Sequence, residues 1–203
     1  MGFHRLGLFG GTFDPLHLGH LVVAQDAVER LALDRLLFVV AGLPPHKVRD
    51  SLSPPELRLE MVRAAVAGNP AFGVSAVEME RPGPTYTVDT LRAFRDMHPE
   101  TELFFLLGAD QLAEFHEWRE PEAIASLATL VAMAREGSGV DPVSTMTLPA
   151  DLKVDFVRIP VTRLDVSSTD IRGRVREGRS VRYLVPPEVR RIMEDHGLYR
   201  SIP

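Results

Sequence analysis

The sequence predicts an α/β protein with a doubly wound, mostly parallel sheet and helices on both faces. Three observations predict it. Residues 36–41 (LLFVVA) and 103–107 (LFFLL) are unbroken apolar runs of strand length, the pattern of strands buried on both faces. Helix-like segments alternate with strand-like ones along the chain, which favours parallel strands joined by right-handed crossovers. Glycines, histidines and hydroxyl residues collect just after the strand-like runs, at the sheet edge where such folds bind ligands.

The first strand is the apolar run that opens residues 6–20 (LGLFGGTFDPLHLGH). The chain then turns on Gly10 and Gly11 and presents Thr12, Asp14, His17 and His20. Residues 21–33 suit a helix with an apolar face. If that helix begins near Leu16, His17 and His20 share one face and can reach the same anion. A strand, a glycine turn and a helix hold phosphate well. The first helical N–H groups have no partner inside the helix, and glycine lets the backbone approach a ligand.

The second strand, residues 36–41, ends in the proline-marked loop GLPPHK at 42–47. Ser53 is expected to cap the next helix, with proline in its first turn and Glu56 completing a capping box. That helix runs to about residue 67, where Gly68 stops it. Residues 72–80 are expected as a strand, 81–84 as a turn, and 88–97 as a helix ended by Pro99. The run at 103–107 leads into Gly108 and Asp110. Short helices at 111–118 and 121–127 precede a strand at 129–134. Residues 137–151, rich in Gly, Pro, Ser, Thr and Asp, are expected as a long, mobile surface loop. A last strand at 154–159 is followed by Ser167, Ser168 and Thr169 capping a helix at 170–176, then by an amphipathic helix at 186–196. With no repeat and no dividing linker, one domain over 1–203 is expected.

Composition narrows the function. A chain of 203 residues, 45% hydrophobic and 25% charged, is long enough for an ample core. The absence of cysteine excludes a disulfide framework and a thiolate metal site. A net charge of −5 argues against broad nucleic-acid binding, although a local basic pocket is compatible with it. No apolar run reaches the length of a membrane span, and no charged-then-apolar leader opens the chain, so no membrane partner and a cytoplasmic location are expected. The oligomeric state stays open, a homo-oligomer included.

Residues 11–20 (GTFDPLHLGH) are neither common phosphate loop, since they lack both G-x-x-x-x-G-K-[ST] and G-x-G-x-x-G. They resemble the signature G-x-F-x-P-x-H-x-G-H of the nucleotidyltransferase superfamily of α/β phosphodiesterase type. The other clusters each have a plainer reading when taken alone. His46 and Lys47 suit a solvated loop, Asp110 a helix N-cap, Trp118 the core. Thr85 and Tyr86 suit a turn, and Arg172 a solvated helix position.

Taken together, the clusters extend the resemblance. PPHK at 44–47, PTYTVDTL at 84–91, GAD at 108–110 with Phe115 and Trp118, VSSTDIR at 166–172 and VPPEV at 185–189 follow the signature in order. The series is similar to that of the bacterial nicotinate-nucleotide adenylyltransferase family, which joins nicotinate mononucleotide to ATP. It departs from that family in small ways: Val166 stands where isoleucine is frequent, and 137–151 match poorly.

The resemblance implies a Rossmann-like nucleotidyltransferase fold. It also implies that Lys47 and His46 meet the mononucleotide phosphate, that Trp118 stacks on the pyridine ring, and that Thr85 with N–H groups near Tyr86 receives the ring carboxylate. Asp14 and Asp110 fall on the same acceptor side. Gly10, Gly11, Thr12 and Phe13 fall on the ATP side.

The chemistry sets its own requirements. A phosphate nucleophile is already an anion, so the site must hold two polyanions in line and neutralise developing charge, with no strong base. His17 and His20 are the expected catalytic pair on the ATP phosphates; Ser167, Ser168, Thr169 and Arg172 suit the β- and γ-phosphates. One Mg²⁺ would bridge those phosphates, because magnesium takes few protein ligands. Two rivals remain: a transferase with another acceptor, such as phosphopantetheine or the amidated nucleotide, and a non-catalytic nucleotide sensor.

Overall fold

The structure is a computed structural model and describes residues 2–43, 52–135 and 154–200. In chain order it contains β1 (Arg5–Gly11), α1 (Leu18–Arg30), β2 (Arg35–Val40), α2 (Pro55–Val66), β3 (Phe72–Ser75), α3 (Thr87–Met97) and β4 (Glu102–Leu107). These are followed by α4 (Ala109–Glu114), α5 (Pro121–Leu127), β5 (Thr129–Arg135), β6 (Phe156–Val161), α6 (Ser168–Arg176) and α7 (Pro187–Asp195). A short 3₁₀ turn at Phe115–Glu117 continues α4.

The strands form one six-stranded sheet of order β3-β2-β1-β4-β5-β6. Every pairing in it is parallel, so the expected mostly parallel sheet is wholly parallel among the described residues. β1 pairs with β2 on one side and β4 on the other, so strand order reverses between β1 and β4. A crevice opens at such a reversal, beyond the carboxyl ends of the strands.

The unbroken apolar strands are buried because helices cover both faces. Ala24 and Ala27 of α1 and Leu59, Val62 and Val66 of α2 pack on Phe9, Phe38 and Leu106. On the opposite face Val88, Leu91 and Phe94 of α3, with Leu112 and Ile124, pack on Leu8, Phe105 and Leu130. α7 packs in a third cluster, apart from those two. Its Val189 and Met193 pack against Met61 of α2, which brings α7 back onto the second crossover, between β2 and β3.

Four local expectations are corrected. The strand expected over 72–80 stops at Ser75, because β3 is an edge strand whose only partner, β2, ends its pairing at Val39↔Ser75. Beyond it the chain folds into a turn, with the Met79 N–H donating to the Ala76 carbonyl at 2.8 Å. α1 ends at Arg30 rather than 33; Ala32 turns the chain at φ 47°, and Leu31 and Leu33 are apolar because they are buried past the helix. His17 is the N-cap of α1, not a residue inside it. Ser53 does not cap α2: the N-cap position falls on Pro54, which has no capping side chain. Ser53 sits one residue outside, its N–H donating to the Asp14 carboxylate (3.2 Å) and its carbonyl accepting from Arg58 (3.1 Å). The loop expected over 137–151 lies outside the described residues.

Candidate active site

A cavity of about 420 Å³ opens at the reversal between β1 and β4. Its floor is Phe9 to Asp14, its rim His17 and His20, and its far side Ser167, Ser168 and Arg172 of α6. Gly108 and Gln111, at the start of α4, close it beyond the end of β4, and Met133, Val161, Leu164 and Val166 give it an apolar wall. That wall suits a flat ring beside a polar, phosphate-sized end.

The floor is built by packing. Phe13 has φ 49°, a left-handed backbone that costs a non-glycine residue about 1–3 kcal/mol. Its ring holds it there, edge-on to Phe9 at 5.7 Å, Phe38 at 5.6 Å and His20 at 5.1 Å. Gly11 makes room for that ring: a Cβ at Gly11 would stand 2.7 Å from the Phe13 Cζ. Gly11→Ala should therefore overpack the floor and cost about 1–3 kcal/mol. Urea unfolding would read this as a lower midpoint at unchanged slope.

His17 and His20 do meet, but through the cap rather than a shared helix face. Their rings stack at 3.7 Å between centroids, 21° from parallel. The His17 backbone N–H donates to His20 Nδ1 at 3.2 Å, so the proton of neutral His20 sits on Nε2. His17 is 7% exposed, and its Nδ1 has no hydrogen-bond partner. Burial pulls the His17 imidazole down to about 4. Burial, then the charge of His17, lowers His20 well below the usual histidine value. Both rings are neutral in the free site at pH 7. A buried, unpartnered ring nitrogen at a cavity wall is a polar group awaiting a ligand.

The other sequence-picked residues fall in three places. At α6, Ser167 caps the helix by accepting from the Asp170 N–H at 3.0 Å. The Ser168 hydroxyl donates to the Pro15 carbonyl (2.9 Å), and Arg172 donates to the Asp14 carbonyl (2.8 Å) and the Thr169 hydroxyl (3.2 Å). This locks α6 onto the loop after β1. Thr12 and Gly10 line the cavity with Gly11 and Phe13.

Asp14 is 2% exposed and turned into the wall, where its carboxylate accepts from Tyr199 Oη (2.6 Å) and the Ser53 N–H. On the far side of the sheet, Thr85 donates its N–H to the Leu43 carbonyl at 3.0 Å and is buried. Tyr86 is the N-cap of α3, with the Arg119 guanidinium 4.9 Å above its ring. Trp118 is half-buried, 5.5 Å from Phe115 and 6.2 Å from Phe105. Asp110 is the second residue of α4, though its side chain is outside the described part. His46 and Lys47 lie outside the described residues.

Sequence reasoning missed Arg58 and Tyr199, which hold this site from behind. The signal for Arg58 was its phase: on α2 it shares a face with Met61 and Val62, all three buried. Tyr199 carried no such signal. Burial beside Asp14 keeps its phenol protonated, so it stays a donor.

A family model described as Cytidylyltransferase-like matches residues 8–174. A probable nicotinate-nucleotide adenylyltransferase of Thermus thermophilus is 52% identical over 196 residues, which is 97% of this chain and 100% of that protein. The chain belongs to the nicotinate-nucleotide adenylyltransferase family. A probable member from Thermomicrobium roseum is 44% identical over 98% of this chain and 92% of its own. The fold also matches a solved structure, Plasmodium falciparum nicotinic acid mononucleotide adenylyltransferase complexed with NaAD. The TM-score is 0.75 at 18% identity, over 96% of this chain and 97% of that one. The expected nucleotidyltransferase assignment therefore stands. Among the described residues no helix is long and apolar enough to cross a membrane.

Asp14 is the one carboxylate among the described cavity residues, and it is already engaged. No group of three or more His, Cys, Asp or Glu among the described residues could hold a metal ion. The remaining polar side chains are hydroxyls, imidazoles, the Gln111 amide and a guanidinium. They fit a hard cation carried on phosphate oxygens and water rather than in a protein cage.

Proposed function

We propose that this member of the family transfers the AMP moiety of ATP to nicotinate mononucleotide, giving deamido-NAD and pyrophosphate, as one cytoplasmic domain over 1–203. The observation that carries the reading is the stacked His17–His20 pair, buried and with an open ring nitrogen, at the rim of the cavity between β1 and β4.

An oxygen of the mononucleotide 5′-phosphate attacks the ATP α-phosphorus. The new P–O bond forms as the bond to the bridging oxygen breaks, and pyrophosphate leaves with that electron pair. The nucleophile carries no proton to remove, so no base and no covalent enzyme intermediate are needed. His20 donates from Nε2 to the ATP phosphates and His17 donates beside it, placing hydrogen-bond donors where charge develops. The backbone from Gly10 to Phe13 approaches the nucleotide, while Ser167 and Arg172 face the β- and γ-phosphates, Thr169 orients Arg172, and Ser168 keeps α6 in place. Mg²⁺ held on those phosphates supplies further charge neutralisation when bound.

On the acceptor side, Lys47 and His46 take the mononucleotide phosphate, and Trp118 stacks on the pyridine ring. The first N–H groups of α3, beside Thr85 and Tyr86, receive the ring carboxylate. Asp110 orders the nucleotide and Asp14 acts through the loop it anchors.

Pyrophosphate release from ATP and Mg²⁺, with nicotinate and nicotinamide mononucleotide side by side, tests the reading. Faster release with the acid is expected, because donors aimed at an anion discriminate against a neutral amide. Tight ATP binding without release for any acceptor, phosphopantetheine included, would make the protein a sensor instead. Trp118→Ala should raise KM for the mononucleotide about three- to tenfold with little change in KM for ATP, as steady-state kinetics would show.

A further inference from the structure

We infer that Arg58 is a positioning residue for transfer, a buried guanidinium that sets the segment after β2 against the loop after β1. This rests on the reading above that Lys47 and His46 serve the acceptor. Arg58 is 1% exposed and does not line the cavity. Its Nη1 donates to the carbonyls of Thr12 (2.9 Å) and Ala41 (2.7 Å), its Nη2 to Gly42 (3.0 Å), and its Nε to Ser53 (3.1 Å). All four acceptors are backbone carbonyls from three separate stretches of chain. A rigid, planar fork of donors fixes such carbonyls relative to one another; an ammonium on a flexible stem does not.

The grip is on both sides of the segment that carries His46 and Lys47. Ala41 and Gly42 precede it and Ser53 follows it. Asp14 reinforces the second hold by accepting from the Ser53 N–H, and Tyr199 fixes Asp14 in turn. The first hold is equally tight, because a Cβ on Gly42 would stand 2.6 Å from the Glu78 carbonyl. Among the described residues no carboxylate bonds Arg58 directly; burying a guanidinium on carbonyls is costly, and packing alone would be served by a neutral side chain. What the guanidinium adds is a fixed distance between the loop after β1 and the two flanks, Ala41–Gly42 and Ser53, of the stretch that carries His46 and Lys47.

Steady-state kinetics and thermal melts of Arg58→Lys test this. Lysine keeps charge and bulk but loses the fork. KM for nicotinate mononucleotide should rise about tenfold and kcat fall about 10–100-fold, with KM for ATP changing less. A core variant far from the site, Phe94→Leu, should keep both KM values at a comparable loss of melting temperature. Wild-type kinetics in Arg58→Lys would overturn the inference, as would the same kinetic losses in Phe94→Leu. If Arg58→Lys does not fold, Tyr199→Phe reads the same frame through Asp14. There a raised mononucleotide KM supports the inference, and wild-type KM values overturn it. Lys47→Ala separates the two proposals. If it leaves the mononucleotide KM unchanged, the acceptor reading fails; if it raises KM while Arg58→Lys does not, only the positioning role fails.

Discussion

His17→Ala should lower kcat by about 10²–10³-fold while the melting temperature changes little. The rate figure is the usual loss when one donor to the transition state is removed. Losing the ring forfeits its stacking on His20, but it also removes a buried nitrogen that makes no hydrogen bond in the free protein, so the two stability terms oppose each other. The His17 backbone N–H, which bonds His20 Nδ1, is retained in the variant. His20→Ala should behave differently. Its ring packs against both Phe9 and Phe13, so stability and rate should fall together. A His17→Ala enzyme with kcat within threefold of wild type would remove His17 from the mechanism.

Acid should destabilise the fold through the same pair. Burial depresses the His17 value from 6.5 to about 4 in the folded protein. Between those values the unfolded chain binds a proton that the folded protein does not. Stability is therefore intact above pH 6.5, falls as pH drops towards 4, and levels off below. A shift of that size corresponds to about 3 kcal/mol, and His20 acts in the same direction. Urea unfolding at pH 7.5 and 4.5 should show this loss in the wild type and a smaller one in His17→Asn. Carboxylates also protonate over this range, but they are common to both proteins and cancel in the comparison. An equal loss in the variant would contradict the buried, neutral state of His17.

What the sequence made legible was local. The glycines and histidines of residues 10–20 mark the turn that forms the cavity floor, because the polar groups and the backbone freedom sit within one short window. The apolar runs of β2 and β4 announced burial on both faces, because nothing in them tolerates water. The misreadings depended on partners distant in the chain. β3 ends where β2 ceases to pair, which the composition of 72–80 does not reveal. Ser53 has the look of a cap, yet the cap position falls one residue later, at Pro54, and Asp14, 39 residues away, holds the Ser53 backbone outside the helix. Tyr199 reaches Asp14 across 185 residues, a contact set by α7 docking on α2 and by no nearby pattern. His17 and His20 were correctly paired for an incomplete reason: the cap residue and the third helical residue also meet.

The central claim is that these two imidazoles receive the triphosphate of ATP. Ring-nitrogen NMR of the histidines, titrated with a non-hydrolysable ATP analogue and Mg²⁺, tests it most directly. The signals of His17 and His20 should move together as the analogue saturates, while those of His4, His98, His116 and His196 stay in place. Saturation that leaves the His17 and His20 rings unmoved would contradict the account.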